Sequence, residues 1–348
     1  MKPISVFAAF ASLFLLTSLL PCRGQWLTEQ IALTPGWNAV YLSVQPNATN
    51  CAAVFASLPV EAVWCWNPPL RAAQFHDNPQ QPSARRPDWL YWRPESSPQA
   101  FLNSLRWVQG GRGYLIKLAT NATPLTWSVK GTPVLFRREW KAGAMNFTGL
   151  PVAANTTSFV DFFQASSAIG TMRANNGEIS QVNAAGQGVR LFTPARVTIQ
   201  PTVAYWILSH DATDYAGSVR VTLDYGSVVT FPAGISARHV LIRNESAAAR
   251  TVTVRSLASE SAPGFQSPAV AGAVPLNYRE LDWSQSPPQK VYRALDPVLS
   301  RSVAAGATWD LELSPSRAQM AGGGARCQSL LEVSDGATVR QVVGVWAE

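Results

Sequence analysis

Aromatic side chains are the residues through which this chain is best equipped to bind another molecule. Trp89, Tyr91 and Trp92 lie within four positions, directly after a proline-rich stretch. Aromatic faces exposed on a β-scaffold can stack on sugar rings or anchor a protein partner. Trp89 and Trp92 would lie on opposite faces of a strand, so at least one is expected to be exposed. The sequence therefore predicts a ligand-binding surface at these three residues; the alternative is that they fill a thin core.

Histidine and nucleophile chemistry has little support. His76, His210 and His239 have no activated serine or cysteine motif beside them, and neither a phosphate-binding loop nor a His-Glu-x-x-His pattern occurs. His76-Asp77 and His210-Asp211 are neighbours in sequence, and neighbouring side chains of an extended chain do not face each other. We therefore expect that the protein is not an enzyme, that it has no catalytic residue and that it binds no cofactor.

Carboxylates are the remaining candidates for hydrolytic or metal chemistry. Two groups stand out. The first consists of Asp211, Asp214 and Asp224, and the second consists of Glu61, Asp88 and Glu95. A calcium site needs six to eight oxygen ligands, usually in a tight acidic loop, so the first group is better interpreted as a polar connector. The two carboxylates of a glycosidase can lie far apart in sequence, which leaves an unrecognised extracellular hydrolase as an alternative. No metal site is predicted.

The cysteines allow one disulfide. Cys51 and Cys65 are 14 positions apart, and an oxidising compartment would permit a bridge between them. The alternative is a pair of small buried thiols. Cys327 stands alone after a glycine-rich turn, at a spacing that offers no metal site.

The N-terminus predicts export. Residues 1–24 read as a signal peptide, because Lys2 precedes the mostly apolar, uncharged stretch Ile4–Leu20 and small residues follow Pro21. Cleavage before Gln25 is expected, rather than an uncleaved anchor or a lipid on Cys22. No second run of spanning length follows, so we expect a mature chain that does not cross a membrane and is secreted or held at the cell surface.

The charge is moderately basic. The formal net charge is +7, and it falls to +5 without Lys2 and Arg23. The cations are mainly arginines, scattered along the chain, with Arg85-Arg86 and Arg137-Arg138 as the densest pairs. A nucleic-acid reader would concentrate them in a stripe, so no nucleic-acid partner is expected. A mild attraction to anionic polymers or cell surfaces is the most this pattern supports.

The elements that must position these residues are predicted to be strands. Apolar and polar residues alternate over short runs, which is typical of half-buried strands. Strands are predicted at Trp37–Val44, Val63–Trp66, Trp89–Trp92, Gly113–Leu118 and Leu125–Lys130. Helical periodicity is weak and is confined to short stretches, which are Ala52–Leu58, Pro98–Leu105 and Ser158–Phe163. The fold class is therefore all-β.

An internal repeat divides the first two thirds of the chain. Gly36–Val44 returns as Ala144–Val152 at an offset of 108, and this register is expected to match Trp64 with Met172. Gly113–Ile116 then matches Ala204–Ile207 at an offset of 91, so the first copy has 17 additional residues, which we assign to the proline-rich stretch Pro68–Pro87. The repeat predicts two tandem small β-rich modules, module 1 at 25–130 and module 2 at 131–217.

The remaining residues, 218–348, predict a β-sandwich. Apolar residues alternate on either side of Asn244–Arg250, which suggests a hairpin with a long loop, and Asp335-Gly336 suggests the turn of a second hairpin. The stretch Pro263–Pro288 is expected to be a surface excursion.

Ile31–Ser209 resembles a module of exported bacterial multidomain proteins. The resemblance is carried by Gly36-Trp37-Asn38, Leu150-Pro151-Val152, the pair Trp64 and Trp66, and the end Gly113–Ile116. It implies a bacterial surface or secreted protein built of β-modules, and no established activity. The C-terminal part looks immunoglobulin-like in strand rhythm.

These observations predict an exported bacterial protein with a structural or binding role. Its expected partner is a polysaccharide or another surface protein. The first alternative is a carbohydrate-binding protein that uses Pro68–Trp92, and the second is the unrecognised hydrolase.

Overall fold

A computed structural model describes most of the chain. The described residues are 25–67, 89–153, 157–166, 168, 178–263, 270–295, 298–320 and 326–348. The predicted signal peptide, the stretch Pro68–Pro87 with His76, and Asp88 lie outside them. Within the described residues the fold is all-β, with two one-turn helices.

Module 1 contains two sheets. Its strands are β1 (Leu27–Leu33), β2 (Gly36–Leu42), β3 (Val44–Pro46), β4 (Val60–Trp66), β5 (Trp89–Trp92), β6 (Arg112–Leu118) and β7 (Leu125–Pro133), and its helix is α1 (Cys51–Val54). One sheet has the order β1-β7-β3 and the other β2-β6-β4-β5. The bounds of β5 agree with the prediction, and a 3-10 turn replaces the helix expected around Pro98–Leu105.

Module 2 repeats the second of these sheets. Its elements are β8 (Ala144–Thr148), α2 (Phe159–Phe162), β9 (Ile179–Val182), β10 (Gly188–Arg190) and β11 (Tyr205–Ser209). The sheet order is β8-β11-β9-β10, which is the order β2-β6-β4-β5 with each strand replaced by its counterpart. Helices α1 and α2 both begin after a capping side chain, Asn50 in one and Ser158 in the other.

Equivalent side chains make equivalent hydrogen bonds in the two modules. Asn38 donates its side-chain amide to the carbonyl of Ile116, as Asn146 does to Ile207. The hydroxyl of Tyr114 accepts the backbone N–H of Gln109 at 2.8 Å, and the hydroxyl of Tyr205 accepts that of Gln200 at 3.1 Å. The two sheets therefore share local design as well as strand order.

The predicted repeat register is wrong beyond the helix. Strand β6 places Leu115 opposite Trp64, and β11 places the equivalent Trp206 opposite Ser180. Ser180, rather than Met172, is thus the counterpart of Trp64. Module 2 has more residues between α2 and β9 than module 1 has between α1 and β4. The segment from β9 to β11 is in turn shorter than the segment from β4 to β6, by more than the 17 residues that the sequence indicated.

Residues 218–348 form an immunoglobulin-like sandwich. Its strands are β12 (Val219–Leu223), β13 (Val229–Phe231), β14 (Arg238–Asn244), β15 (Arg250–Ala258), β16 (Val270–Gly272), β17 (Leu276–Asp282), β18 (Gln289–Ala294), β19 (Val298–Val303), β20 (Thr308–Pro315), β21 (Arg326–Ser334) and β22 (Arg340–Ala347). The sheets have the orders β12-β14-β20-β17-β18 and β13-β22-β21-β15-β19. If β13, β16, β18 and β19 are set aside, this is the immunoglobulin arrangement of strands 1-2-5-4 against 7-6-3.

Two sequence predictions for the sandwich are wrong. Strands β14 and β15 do not form a hairpin, because they belong to opposite sheets and Val240 and Val254 both point into the core between them. The stretch Pro263–Pro288 is not a surface excursion as a whole, because β17 lies within it and pairs with β20. The predicted hairpin around Asp335-Gly336 is confirmed as β21 and β22.

The buried residues form two cores. One lies inside module 1, between its two sheets, and includes Ile31, Phe55, Tyr114 and Trp127. The other runs without interruption from the opposite face of the β2-β6-β4-β5 sheet through module 2 into the sandwich. The β2-β6-β4-β5 sheet of module 1 therefore has both faces buried.

The two modules pack about an approximate two-fold axis. A Cβ atom added to Gly149 would lie 2.2 Å from Cγ of Tyr41, the equivalent position in module 1. A Cβ added to Gly113 would lie 3.1 Å from Cβ of Ala204, which is its own counterpart. Positions that meet their own counterparts define a self-complementary interface, here between two parts of one chain.

Candidate functional site

The predicted aromatic surface is buried, and the prediction is wrong on this point. The exposed fractions of Trp89, Tyr91 and Trp92 are 2%, 7% and 9%. Trp89 packs against Trp66 and against Trp206 of module 2, with ring centroids 5.2 and 5.9 Å apart.

Trp92 faces the other way, as expected for odd spacing. Its ring lies 5.5 Å from that of Phe55 in the core of module 1. Both sides of β5 are covered because the sheet is an internal layer, so opposite orientation does not expose either tryptophan.

Exposed large hydrophobic side chains occur elsewhere, in module 1 at Phe101, Leu102 and Trp107, and in a second group at one flank of the sandwich. We define the flank by Leu281, Trp283, Tyr292 and Val298, which lie on or beside β17, β18 and β19. Trp283 is 75% exposed, a large apolar surface for a residue that usually lies inside. Clustered exposed hydrophobic residues are typical of a binding surface.

A cleft of about 550 Å³ opens at the flank. The cleft lies where the edges of the two sheets meet, between β17 and β20 on one side and β19 on the other. It is lined by Tyr278, Arg279, Glu280, Leu281, Trp283, Leu299, Ser300, Arg301, Trp309 and Asp310. The lining includes two arginines and two carboxylates, so the wall has no formal charge excess, and it includes three aromatic side chains.

A carboxylate on β20 anchors the hairpin that carries the flank. Glu312 is 7% exposed and accepts a hydrogen bond from the hydroxyl of Tyr292 at 2.6 Å. It also pairs with Arg279 at 2.5 Å, and His239 Nε2 lies 3.8 Å away on its other side. These residues stand in one row across β14, β20, β17 and β18, which explains how two exposed strands remain attached to the sheet.

Arg301 is placed to meet a ligand in the cleft. Its guanidinium lies 5.7 Å from the ring centroid of Trp309, and this cation–π contact holds the side chain across the cleft. Arg279 and Glu280 form ion pairs with Glu312 and Arg293, and Asp310 is hydrogen-bonded to Nδ1 of His239 at 2.7 Å.

The sequence analysis missed this site. Trp283 and Tyr278 lie in the stretch that was interpreted as a surface excursion. A short signal was present, because Leu276–Arg279 alternates apolar and polar residues as a half-buried strand does.

The remaining predicted residues do not converge. His210 pairs with Glu178 at 2.7 Å and not with its sequence neighbour Asp211. Asp214 is paired with Arg220, and Asp224 accepts the backbone N–H of His239 at 3.1 Å. In the part of the chain that the structure describes, no three histidine, cysteine or acidic side chains are grouped as metal ligands.

The second carboxylate group is likewise dispersed where it can be described. Glu61 pairs with Lys117 at 2.7 Å on the surface of module 1, and Glu95 lies exposed on the turn that follows β5. Asp88 lies outside the described residues.

Cys51 and Cys65 are free, buried thiols in the structure, so the disulfide considered from the sequence is not formed in it. Burial raises the pKa of Cys51 to about 12 and also raises the pKa of Cys65. A thiol with a raised pKa carries little thiolate at neutral pH and is a poor nucleophile. Cys327 is buried as well.

A second cavity, of about 320 Å³, lies where both modules and the sandwich meet. Glu29 of β1 faces it and accepts hydrogen bonds from the N–H and hydroxyl of Ser43 at 3.1 and 2.8 Å. Burial raises the pKa of Glu29 to about 7, although the bonds from Ser43 oppose the shift. Tyr41, also in the wall, has its pKa raised by burial and by the charge of Glu29.

None of the helices in the described residues combines the length and apolar character that a membrane crossing requires.

Comparisons with known proteins add little. No family model matches the chain, and no curated protein matches it. Solved structures that resemble part of it include the YadV chaperone, with 10% identity and a TM-score of 0.22 over 38% of this chain and 51% of that one. The periplasmic chaperone SfaE gives 11% and 0.22 over 37% and 56%, and a PapD-like domain of human CEP192 gives 10% and 0.21 over 38% and 84%. The alignments span about half the length of the two chaperones, and TM-scores this low carry no argument about function.

Proposed function

We propose that this is an exported, non-enzymatic bacterial binding protein that acts at the cell surface or outside the cell. In this proposal the two modules form a scaffold, and the flank of the sandwich contacts the partner. The observation that carries the proposal is the concentration of exposed Leu281, Trp283, Tyr292 and Val298 beside an open cleft.

The burial of the module 1 aromatics supports this division of roles. Trp89, Tyr91 and Trp92 are committed to packing between layers, so the tandem modules offer stiffness rather than recognition at those residues. Leu281, Trp283 and Val298 of the flank have no comparable packing role, whereas the hydroxyl of Tyr292 also holds β18 to Glu312.

A polysaccharide is the partner that the flank fits best. Trp283 offers a flat apolar face, and the cleft has both hydrogen-bond donors, on Arg279 and Arg301, and acceptors, on Glu280 and Asp310. A sugar presents an apolar ring face and hydroxyl groups that both donate and accept hydrogen bonds, so it matches a wall of this composition. Another surface protein is the alternative partner.

The test is a binding titration of residues 25–348 with a panel of polysaccharides, followed through tryptophan emission. We expect saturable binding to one glycan class, weakened at least tenfold by Trp283→Ala. Trp107→Ala is the matched control, because Trp107 is also exposed, at 58%, but lies in module 1.

Three outcomes would contradict the proposal. A flat response across the panel removes the polysaccharide as partner and favours a protein. Loss of binding in Trp107→Ala but not in Trp283→Ala moves the surface to module 1. Turnover of a glycan by the purified protein would show an enzyme.

Export is tested separately. The N-terminal sequence of the protein recovered from a bacterial culture should begin at Gln25, which requires removal of residues 1–24. A retained Met1, or a lipid on Cys22, would contradict this part of the proposal.

A further inference from the structure

A cavity of about 520 Å³ lies between module 2 and the sandwich, away from the flank. One wall is the segment of module 2 that precedes β8. The other wall is β12 together with the residues just before it. It is lined by Phe136, Arg137, Arg138, Glu139, Lys141, Asp214, Ala216, Arg220, Val221 and Thr222.

The charges of this cavity are unbalanced. Arg220 is neutralised by Asp214 and by Glu245, and Lys141 lies 3.7 Å from Glu139. Arg137 and Arg138 have no carboxylate within ion-pair distance among the described residues. Within the described residues, the guanidinium of Arg137 donates to the backbone carbonyl of Gly226 at 2.9 Å.

Arg138 is half-buried and has no carboxylate within ion-pair distance among the described residues. Its Nε is buried and has no hydrogen-bond partner in the described part of the chain. Its Nη2 makes one long bond, 3.3 Å, to Asn146, and its guanidinium lies 5.9 Å from the ring centroid of Trp140. Burial lowers the pKa of Arg138, and the nearby Arg112 lowers it further, while Tyr41 opposes the shift.

Burying an arginine in this way is costly unless an anion completes the site. Charged side chains are almost never buried unpaired, because the lost hydration must be replaced by hydrogen bonds and opposite charge. The acidic residues of the wall are already engaged with Arg220 and Lys141. A ligand is the remaining source of negative charge for Arg137 and Arg138.

We propose that this cavity binds an oxyanion, the phosphate, sulfate or carboxylate group of a small ligand, through Arg137 and Arg138. The planar guanidinium group donates two parallel hydrogen bonds, which suits these groups better than chloride. The cations are confined to one cavity rather than spread along a stripe, so the site favours a single anionic group over a nucleic acid.

The test uses the mature chain, residues 25–348, and titrates it with inorganic phosphate, sulfate and glucuronate at constant ionic strength set with chloride. We expect saturable binding of at least one of the three, and comparison among them identifies which chemistry the site prefers. Arg137→Gln and Arg138→Gln should each weaken binding at least tenfold. Arg190→Gln is the control, since Arg190 is exposed on β10 and its loss changes the net charge equally.

Arg137→Gln keeps the test decisive if Arg138→Gln fails to fold, because Arg137 lines the same cavity and is exposed. The proposal is overturned if none of the three anions binds more tightly than chloride. It is equally overturned if Arg190→Gln weakens binding as much as the cavity variants do. Trp283→Ala should leave anion binding unchanged, so this site and the flank succeed or fail independently.

Discussion

Modules 1 and 2 each contain a four-stranded sheet of the same strand order, but different elements cover the two sheets. Their sheets have the same strand order and face each other across the approximate two-fold axis. The far face of the module 1 sheet is covered by module 1's own β1-β7-β3 sheet, and the two sheets enclose a core made of module 1 residues. In module 2 the far side continues through Phe162 and Tyr215 into the sandwich. One scaffold can therefore be completed in two ways, by its own chain segment or by a neighbouring domain.

The link between module 2 and the sandwich is made of specific contacts. The hydroxyl of Tyr215 donates to the carbonyl of Phe162 at 2.6 Å. A Cβ on Gly217 would lie 2.5 Å from Val339 of the sandwich and 3.0 Å from the Phe162 ring, so these elements are in close packing. Module 2 and the sandwich should consequently unfold together.

The largest expected effect comes from removing the ring that joins module 2 to the sandwich. Phe162→Ala should lower the free energy of unfolding by about 3–5 kcal/mol, because the ring is fully buried. Hydrogen exchange should become faster in both module 2 and the sandwich. Phe55→Ala, a ring buried in the module 1 core, is the comparison, and its effect on exchange should stay within module 1. If Phe55→Ala also accelerated hydrogen exchange outside module 1, the two modules would not differ in how they are coupled to the sandwich.

The interface between the modules provides the next prediction. Gly149→Ala should destabilise the protein by about 1–3 kcal/mol, because its Cβ would overlap the Tyr41 ring. Tyr41→Ala alone leaves a cavity, and the double variant should be less unstable than the sum of the two single changes. Chemical denaturation of all four proteins measures this coupling. Strict additivity would show that positions 41 and 149 do not meet.

The extra sheet of module 1 also brings a pH dependence to the three-way junction. Glu29 has its pKa raised from 4.5 to about 7 by burial, so the folded protein binds its proton more tightly than the unfolded chain does. The resulting stability is fully present below pH 4.5 and is lost as the pH rises to 7, with a change of about 2 kcal/mol for a half-buried group. Glu29→Gln should flatten that part of the stability profile. A profile that is unchanged in the variant would assign the pH dependence to other groups.

The smallest effect separates two equivalent hydrogen bonds. Asn146 is 1% exposed, whereas Asn38 is half-buried. Asn146→Ala should therefore cost about 1 kcal/mol more than Asn38→Ala, because it leaves buried backbone groups without a partner and without water. Thermal unfolding of the two variants under identical conditions measures the difference, and a larger loss for Asn38→Ala would reverse the argument.

Local patterns predicted the strands better than they predicted what covers them. Local sequence patterns placed β5 and, through the turn at Asp335-Gly336, the hairpin of β21 and β22. The burial of β5 was missed although Trp89–Trp92 is an unbroken apolar run, which is typical of a strand covered on both faces. The alternation of Val240 and Val254 could not show that β14 and β15 belong to opposite sheets, since residues of either sheet point inward in the same pattern.

The candidate site was harder to predict because it lies where the edges of the two sheets of the sandwich meet. Trp283 lies exposed just after the end of β17, in the connection from β17 to β18, and no short-range pattern reports which parts of a sheet its partner sheet covers. Glu312 reads in the sequence as an ordinary outward-facing acid. Only the register across four strands shows that Arg279 and Tyr292 close over it.

The contact between Tyr41 and Gly149 has a consequence for how copies of this protein meet during synthesis. A two-fold interface with the same residue on both sides would allow module 1 of one chain to pair with module 1 of another. Here two copies of module 1 would bring tyrosine against tyrosine, and two copies of module 2 would leave a void between glycines. Large against small at this point therefore disfavours pairing between like modules, so a module 1 pairs with a module 2, and the nearest one is tethered to it on the same polypeptide.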